Sequence, residues 1–234
     1  MQEDNRILFF LKSMKSKHVE ETMKKGRFCF SHPCTFNKSA GNSPAQFDKW
    51  DGHSCSVASH LVFAPIEKED EHGIVYGKLR PLAKKAIIHM QMGEAKHTPI
   101  CCFRMIEKDE VSFDYEAKAL IYSLGKTADR IINEFGHDSY IIIQAEPFIE
   151  RLKKENDFLC GAIIYKDILQ PGMFQIEDQY QELAEQLYRK DNIFSWQKEY
   201  RFALVPPTKD SPVFVEIGSI EDIAFSGKIA DLRE

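Results

Sequence analysis

Short apolar runs alternate with turn-forming clusters along this chain, a rhythm that predicts strands and short helices rather than a bundle of long helices. Residues 6–12 (RILFFLK) have the length and aromatic content of a buried strand. A helix is expected from about Lys17. Ser16 would cap it, Glu20 and Glu21 lie early, Lys24 and Lys25 late, and Gly26 follows its end, an order that suits the helix dipole and a glycine C-terminus. Residues 27–31 (RFCFS) read as a second strand before the turn-rich loop HPCTFNKSAGNSP. Residues 59–66 and 73–79 predict two strands joined by the acidic loop EKEDEHG, and 86–92 with 98–106 a second pair. The first half is therefore expected to be mainly antiparallel sheet.

In the second half, Ala119, Tyr122, Leu124, Ala128, Ile131, Ile132 and Phe135 recur at near-helical spacing, with Gly125 in the middle and Gly136 as a stop. That spacing predicts a helix over 115–135. SYIIIQ (139–144) predicts a buried strand, Glu146 and Pro147 open a helix to about Asn156, and 158–165 form another strand. Residues 175–190 carry a helical stripe of Ile176, Tyr180, Leu183, Leu187 and Tyr188. Residues 213–217 give a last strand, and GSIEDIAF a short terminal helix or loop. The pattern amounts to one α+β domain over 1–234, a mainly antiparallel mixed sheet with flanking helices.

Composition changes this picture little: 43% hydrophobic and 29% charged residues over 234 positions are those of a folding chain. A formal net charge of -5 argues against coating nucleic acid by bulk electrostatics. A local excess of base at Lys78, Arg80, Lys84, Lys85 and Lys96 leaves a solvated hairpin or a phosphate-binding face open. No apolar stretch is long enough to span a membrane, the start lacks a signal-peptide pattern, and six cysteines do not form a secreted framework. A cytoplasmic location without membrane association follows as an expectation.

The chemistry concentrates in residues 193–205 (IFSWQKEYRFALV). Written as a strand, it places Gln197, Glu199 and Arg201 on one face, a polar row in an aromatic segment that is costly unless it meets water or a polar ligand. DKWDG (48–52) sets Asp48 and Asp51 around Trp50, either as a capped turn or with Asp51 orienting Arg201 or ligand hydroxyls. Cys29, His32, Cys34, His53 and Cys55 offer zinc-ligand types, but at no familiar spacing, so no metal is expected. Cys101 and Cys102 point to opposite sides of a strand and read as buried thiols. P-loop, G-x-G-x-x-G, H-E-x-x-H and G-x-S-x-G patterns are missing, which counts against kinases, Rossmann dehydrogenases, zincins and α/β-hydrolases.

Gln197-Lys198-Glu199 resembles the Q/E-x-E element of ADP-ribosyltransferases, and the opening strand-helix-strand resembles that of DarT-type enzymes, with Lys12 and Ser13 at the position of the family's basic element. The chain also resembles uncharacterised bacterial and phage-associated proteins through Phe36-Asn37, Asp51-Gly52, Phe135-Gly136 and the W-x-x-E-x-R of Trp196 to Arg201. The resemblance implies an ADP-ribosyltransferase-like enzyme of toxin or phage-defence biology. It would cleave NAD and pass ADP-ribose to a protein or nucleic-acid acceptor. Glu199 would stabilise the transition state and Gln197 orient the acceptor, while Arg201, Lys12, Ser13 and Asp51 would bind the dinucleotide. The alternatives are a non-enzymatic module for a nucleotide, nucleic acid or phage component, and a metal-dependent nuclease using Asp48, Asp51 and Glu199.

Overall fold

The aromatic run near the start of the chain becomes the middle of a sheet. The computed structural model describes residues 7–35, 54–58, 62–70, 73–83, 86–90, 93–166 and 186–233. β1 (Ile7–Met14) leads through a 3₁₀ turn into α1 (Val19–Lys25) and β2 (Arg27–Phe30). Next come β3 (Ser54–Ala58), β4 (Val62–Asp70), β5 (Gly73–Ala83), β6 (Ala86–Met90) and the single turn α2 (Gly93–Lys96). β7 (Ile100–Glu107) precedes the hairpin of β8 (Val111–Asp114) and β9 (Ala119–Tyr122). Then α3 (Lys126–Arg130) runs into a π turn (Ile131–Phe135), followed by β10 (Ser139–Gln144), α4 (Ala145–Glu155), β11 (Phe158–Ala162) and β12 (Ile164–Lys166). β13 (Arg189–Asp191), a 3₁₀ segment (Asn192–Gln197), β14 (Glu199–Leu204), β15 (Val213–Glu216) and β16 (Ala224–Lys228) complete the order.

Six strands make the principal sheet in the order β11-β14-β7-β1-β10-β16, and every neighbouring pair is antiparallel. This is the α+β architecture expected. Alternation along the strands sorts the core into two layers. Phe10, Phe103, Tyr200 and Phe202 project to one face, where Phe28 of β2 and Phe148 and Leu152 of α4 join them. Their rings meet edge-on or tilted at centroid distances from 4.9 Å (Phe10–Tyr200) to 6.1 Å (Phe10–Phe148), the geometries aromatic pairs prefer. Leu11, Ile106 and Ile142 project to the other face and pack on Leu124, Ala128 and Ile131. β10 feeds both layers, Ile141 and Ile143 one and Tyr140 and Ile142 the other, which is why SYIIIQ is apolar without a break.

Several local expectations are met. α1 ends at Gly26, whose φ of 58° places it in the left-handed region and whose amide donates to the Thr22 carbonyl at 2.8 Å. β10 and α4 occupy nearly the stretches foreseen. Others are corrected. Ser16 does not cap α1; it lies in the preceding 3₁₀ turn, and His18 holds the N-cap position without a side-chain bond. The acidic residues after Ile66 extend β4 to Asp70, and β6 pairs with β3, not with β7. The helix expected over 115–135 is a hairpin followed by α3 and the π turn, because Gly125, at φ 49°, opens the helix instead of sitting inside it. The segment foreseen as a short terminal helix or loop is a turn, and it leads at Ala224 into edge strand β16. The helix foreseen over 175–190 is described only from Gln186, and Arg189–Asp191 is strand. Among the described residues, no helix is long and apolar enough to cross a membrane.

Candidate active site

The pairing of β1 with β7 ends at Leu11 opposite Arg104. Beyond it, Lys12, Ser13 and Met14 pair only with β10, while Cys101, Cys102 and Phe103 pair with β14. The central strands thus part, and a cleft of about 210 Å³ opens between them. Its walls include Lys12, Ser13, Cys101, Cys102, Arg104, Phe135, His137, Lys190, Trp196, Gln197 and Glu199.

The strand foreseen over 193–205 begins only at Glu199. Asn192 to Gln197 wind as a 3₁₀ segment, and Lys198, at φ 45°, turns the chain into β14. Glu199 and Arg201 do share a strand face, but it is neither solvated nor exposed: Glu199 is 5% and Arg201 0% accessible. One oxygen of Glu199 accepts from Arg201 Nη2 at 2.6 Å and Nε at 2.9 Å, and the other accepts from Lys190 Nζ at 2.9 Å. Lys190 also donates to Gln197 Oε1 at 2.9 Å. Gln197 therefore reaches Glu199 through a shared lysine, not through strand alternation. The Tyr165 hydroxyl accepts from the Glu199 amide at 2.8 Å. Burial alone would push the Glu199 carboxyl up, yet the charges of Arg201 and Lys190 outweigh it and hold the group well below the usual carboxylate range. The carboxylate is ionised at neutral pH. The same burial, with the Glu199 charge beside it, pushes the Cys102 thiol and the Tyr165 phenol up.

Arg201 was expected to bind a dinucleotide. With no accessible surface and with Nη1 donating to the Leu187 carbonyl at 2.6 Å, it holds Glu199 from behind. Lys12 and Ser13 do reach the cleft. Lys12 Nζ donates to the Cys102 carbonyl at 2.6 Å and lies 3.5 Å from Cys101 Sγ, bridging the split. It makes no ion pair among the described residues. Ser13 Oγ lies 2.9 Å from His137 Nδ1. Burial, with the Lys12 charge adding to it, pushes His137 down to about 4, so the imidazole is neutral at pH 7. Arg104 is fully engaged as a strut: Nε donates to the Tyr122 hydroxyl at 3.0 Å, Nη1 to the Trp196 carbonyl at 2.7 Å, and Nη2 to Glu110 at 3.1 Å.

An aromatic wall completes the site. Phe135 stacks on His137 at 5.7 Å and 22° and sits 5.9 Å from Trp196, whose ring lies 3.9 Å beneath the Arg130 guanidinium carbon. Lys190, His137 and Phe135 were not foreseen as site residues. Asp48, Trp50, Asp51, Gly52 and His53, with Phe36 and Asn37, lie outside the described residues. Of the soft ligands, Cys29 is exposed beside Ser31 and His32 Nε2 contacts the Thr208 carbonyl at 2.7 Å. Among the described residues, no metal-ligating group of three or more residues forms.

Comparison with known proteins finds no family model, curated protein or solved structure that this chain matches. The reading of the site rests on its own chemistry.

Proposed function

We propose that the cleft is the active site of an ADP-ribosyltransferase-like enzyme that cleaves NAD at the nicotinamide ribosyl bond and passes ADP-ribose to a macromolecular acceptor. The observation that carries this reading is a buried carboxylate kept ionised in the wall of a cleft that opens between diverging central strands. Breaking an N-glycosidic bond builds positive charge on the ribose, and a fixed carboxylate stabilises that charge without reorganising at the moment of reaction. Glu199 has this role. Lys190 and Gln197 fix its orientation, and Arg201 keeps it deprotonated from below.

The surroundings suit a dinucleotide. Arg104 is answered by Glu110, whereas Lys12 makes no ion pair among the described residues. That ammonium, in a chain of charge -5, favours an anionic ligand such as a pyrophosphate. The aromatic wall of Trp196 and Phe135 offers a stacking face for a planar base. A cavity of about 210 Å³ falls below the roughly 300 Å³ at which pockets enclose a drug-sized ligand. It fits the nicotinamide riboside end, with the rest of NAD at the mouth. Use of Glu199 as a nuclease metal ligand has to compete with two cations already on its oxygens, so the transferase reading is the better supported.

The test is nicotinamide release from NAD by the wild type and by Glu199→Gln, each checked for folding by near-ultraviolet circular dichroism. The expected result is release by the wild type and a loss of about 10²-fold or more in the folded variant. A folded Glu199→Gln protein that releases nicotinamide at the wild-type rate would overturn the assignment.

A further inference from the structure

The transferase reading leaves one polar pair of the cleft without a part. Ser13 and His137 come from different elements, β1 and the loop between the π turn and β10, and are 124 positions apart in the chain. They meet in hydrogen-bond contact at 2.9 Å. The ring is held by its stack on Phe135. Its other nitrogen has no protein partner among the described residues.

Register places this pair with respect to Glu199. Leu11 and Glu199 both stand opposite Arg104, so they share a sheet face and lie two strand spacings apart, roughly 10 Å. Ser13, two residues beyond Leu11 on β1, projects to that same face one pleat further along, level with Cys102 and Arg201, where the strands have parted, so its backbone is roughly 12 Å from that of Glu199. The hydroxyl and the carboxylate therefore stand on opposite walls of one cleft, with room for a sugar ring between them.

We infer that Ser13 is a nucleophile of this cleft, that His137 takes its proton, and that the ADP-ribosyl group freed opposite Glu199 is captured on Ser13 Oγ. This rests on the transferase reading above and adds to it an acceptor within the chain itself. In the step, the glycosidic C–N bond breaks and its electron pair leaves with the nicotinamide nitrogen, which becomes neutral. A lone pair of Ser13 Oγ forms the new C–O bond to the ribosyl carbon, and the hydroxyl proton passes to His137 Nδ1 and on to solvent. The weak basicity that burial gives His137 suits this order of events. In a dissociative transition state the hydroxyl becomes strongly acidic only once the C–O bond has formed, so a weak neutral base suffices to remove its proton.

The experiment incubates the full chain with NAD, follows nicotinamide release, and maps any adduct by intact mass and fragmentation. The expected result is one ADP-ribosyl group on Ser13, resistant to hydroxylamine as an O-glycoside should be and lost in Ser13→Ala. In His137→Phe, which keeps the stack on Phe135 and removes the nitrogen, labelling should slow about 10²-fold. In the wild type its rate should be flat between pH 5 and 8. Nicotinamide release with no adduct at Ser13, or with one that hydroxylamine removes and that maps to a carboxylate, overturns this inference and leaves the transferase reading standing. No nicotinamide release from a folded protein overturns both.

Discussion

Replacing Glu199 by glutamine removes the carboxylate that two buried cations share. In the native protein Lys190 Nζ sits 2.9 Å from one oxygen and Arg201 Nη2 2.6 Å from the other, with the lysine side chain 8% and the arginine 0% accessible. At an effective dielectric of about 20, each contact is worth about 6 kcal/mol of Coulomb attraction, and burying the ions costs several kcal/mol apiece, so the intact trio contributes little net. The variant loses the attraction and keeps the burial of two cations. Breaking such a group costs about 3–5 kcal/mol, and since glutamine still accepts a hydrogen bond, about 3 kcal/mol is the better figure. For a chain of this size that lowers Tm by roughly 6–12 °C. Urea denaturation and thermal melts of wild type, Glu199→Gln, Lys190→Met and the double variant measure it. The double variant should recover at least ~1 kcal/mol relative to additivity, since the neighbours share one network. A Glu199→Gln protein within ~1 kcal/mol of wild type, with additive double-variant behaviour, would show the trio to be solvated and refute the argument. The sign with pH follows from the depressed carboxyl. The Glu199 contribution is fully present above the ordinary carboxylate range and is lost as pH falls through and below it.

Two further outcomes follow from the geometry. Gly26→Ala would force a side chain into the left-handed region at φ 58° and drive its Cβ into the Gly218 carbonyl oxygen and Ile217; the fall in urea midpoint should exceed the ~1 kcal/mol of the conformational term alone. Burial and Lys12 push His137 down to about 4 in the fold from an ordinary 6.5, so the unfolded chain takes up a proton first on acidification. Stability should therefore fall as pH drops from 6.5 towards 4, and His137→Phe, measured by urea midpoints across that range, should lose this part of the slope.

Where one physical signal dominated, the fold could be read directly. An unbroken apolar run marks β10, since a strand packed on both faces shows no alternation, and charge order with a terminal glycine marks α1. The errors came where two periods competed. Residues 119 to 135 satisfy a helical stripe, yet Ala119, Leu120 and Ile121 form an exposed hairpin strand, and Gly125 supplies the break. Glu199 and Arg201 were legible as a same-face pair because two-residue spacing survives in β14. Gln197 was right in company and wrong in cause: Lys198, a positive-φ lysine, ends the strand before it, and such a conformation has no signature in a lysine's identity. Lys190 and His137 could not be found locally at all, since their meaning lies in contacts with Glu199 and Ser13 that only the folded topology makes.

That topology also explains why the polar groups collect where they do. A continuous antiparallel sheet would satisfy the backbone between β1 and β7 along their whole length and leave no space for a ligand. Here Lys12 fills the role of the lost ladder, its ammonium donating to the Cys102 carbonyl across the gap. A backbone amide there would have been neutral; a lysine brings a charge with no carboxylate to answer it among the described residues. The same opening lets Glu199 into the wall while Arg201, one pleat further along β14, stays sealed beneath Leu187. Parting the strands therefore does two things at once. It creates the cavity, and it sets a cation on one wall against an ion-paired carboxylate on the other, the polarity on which the proposed transferase reading draws.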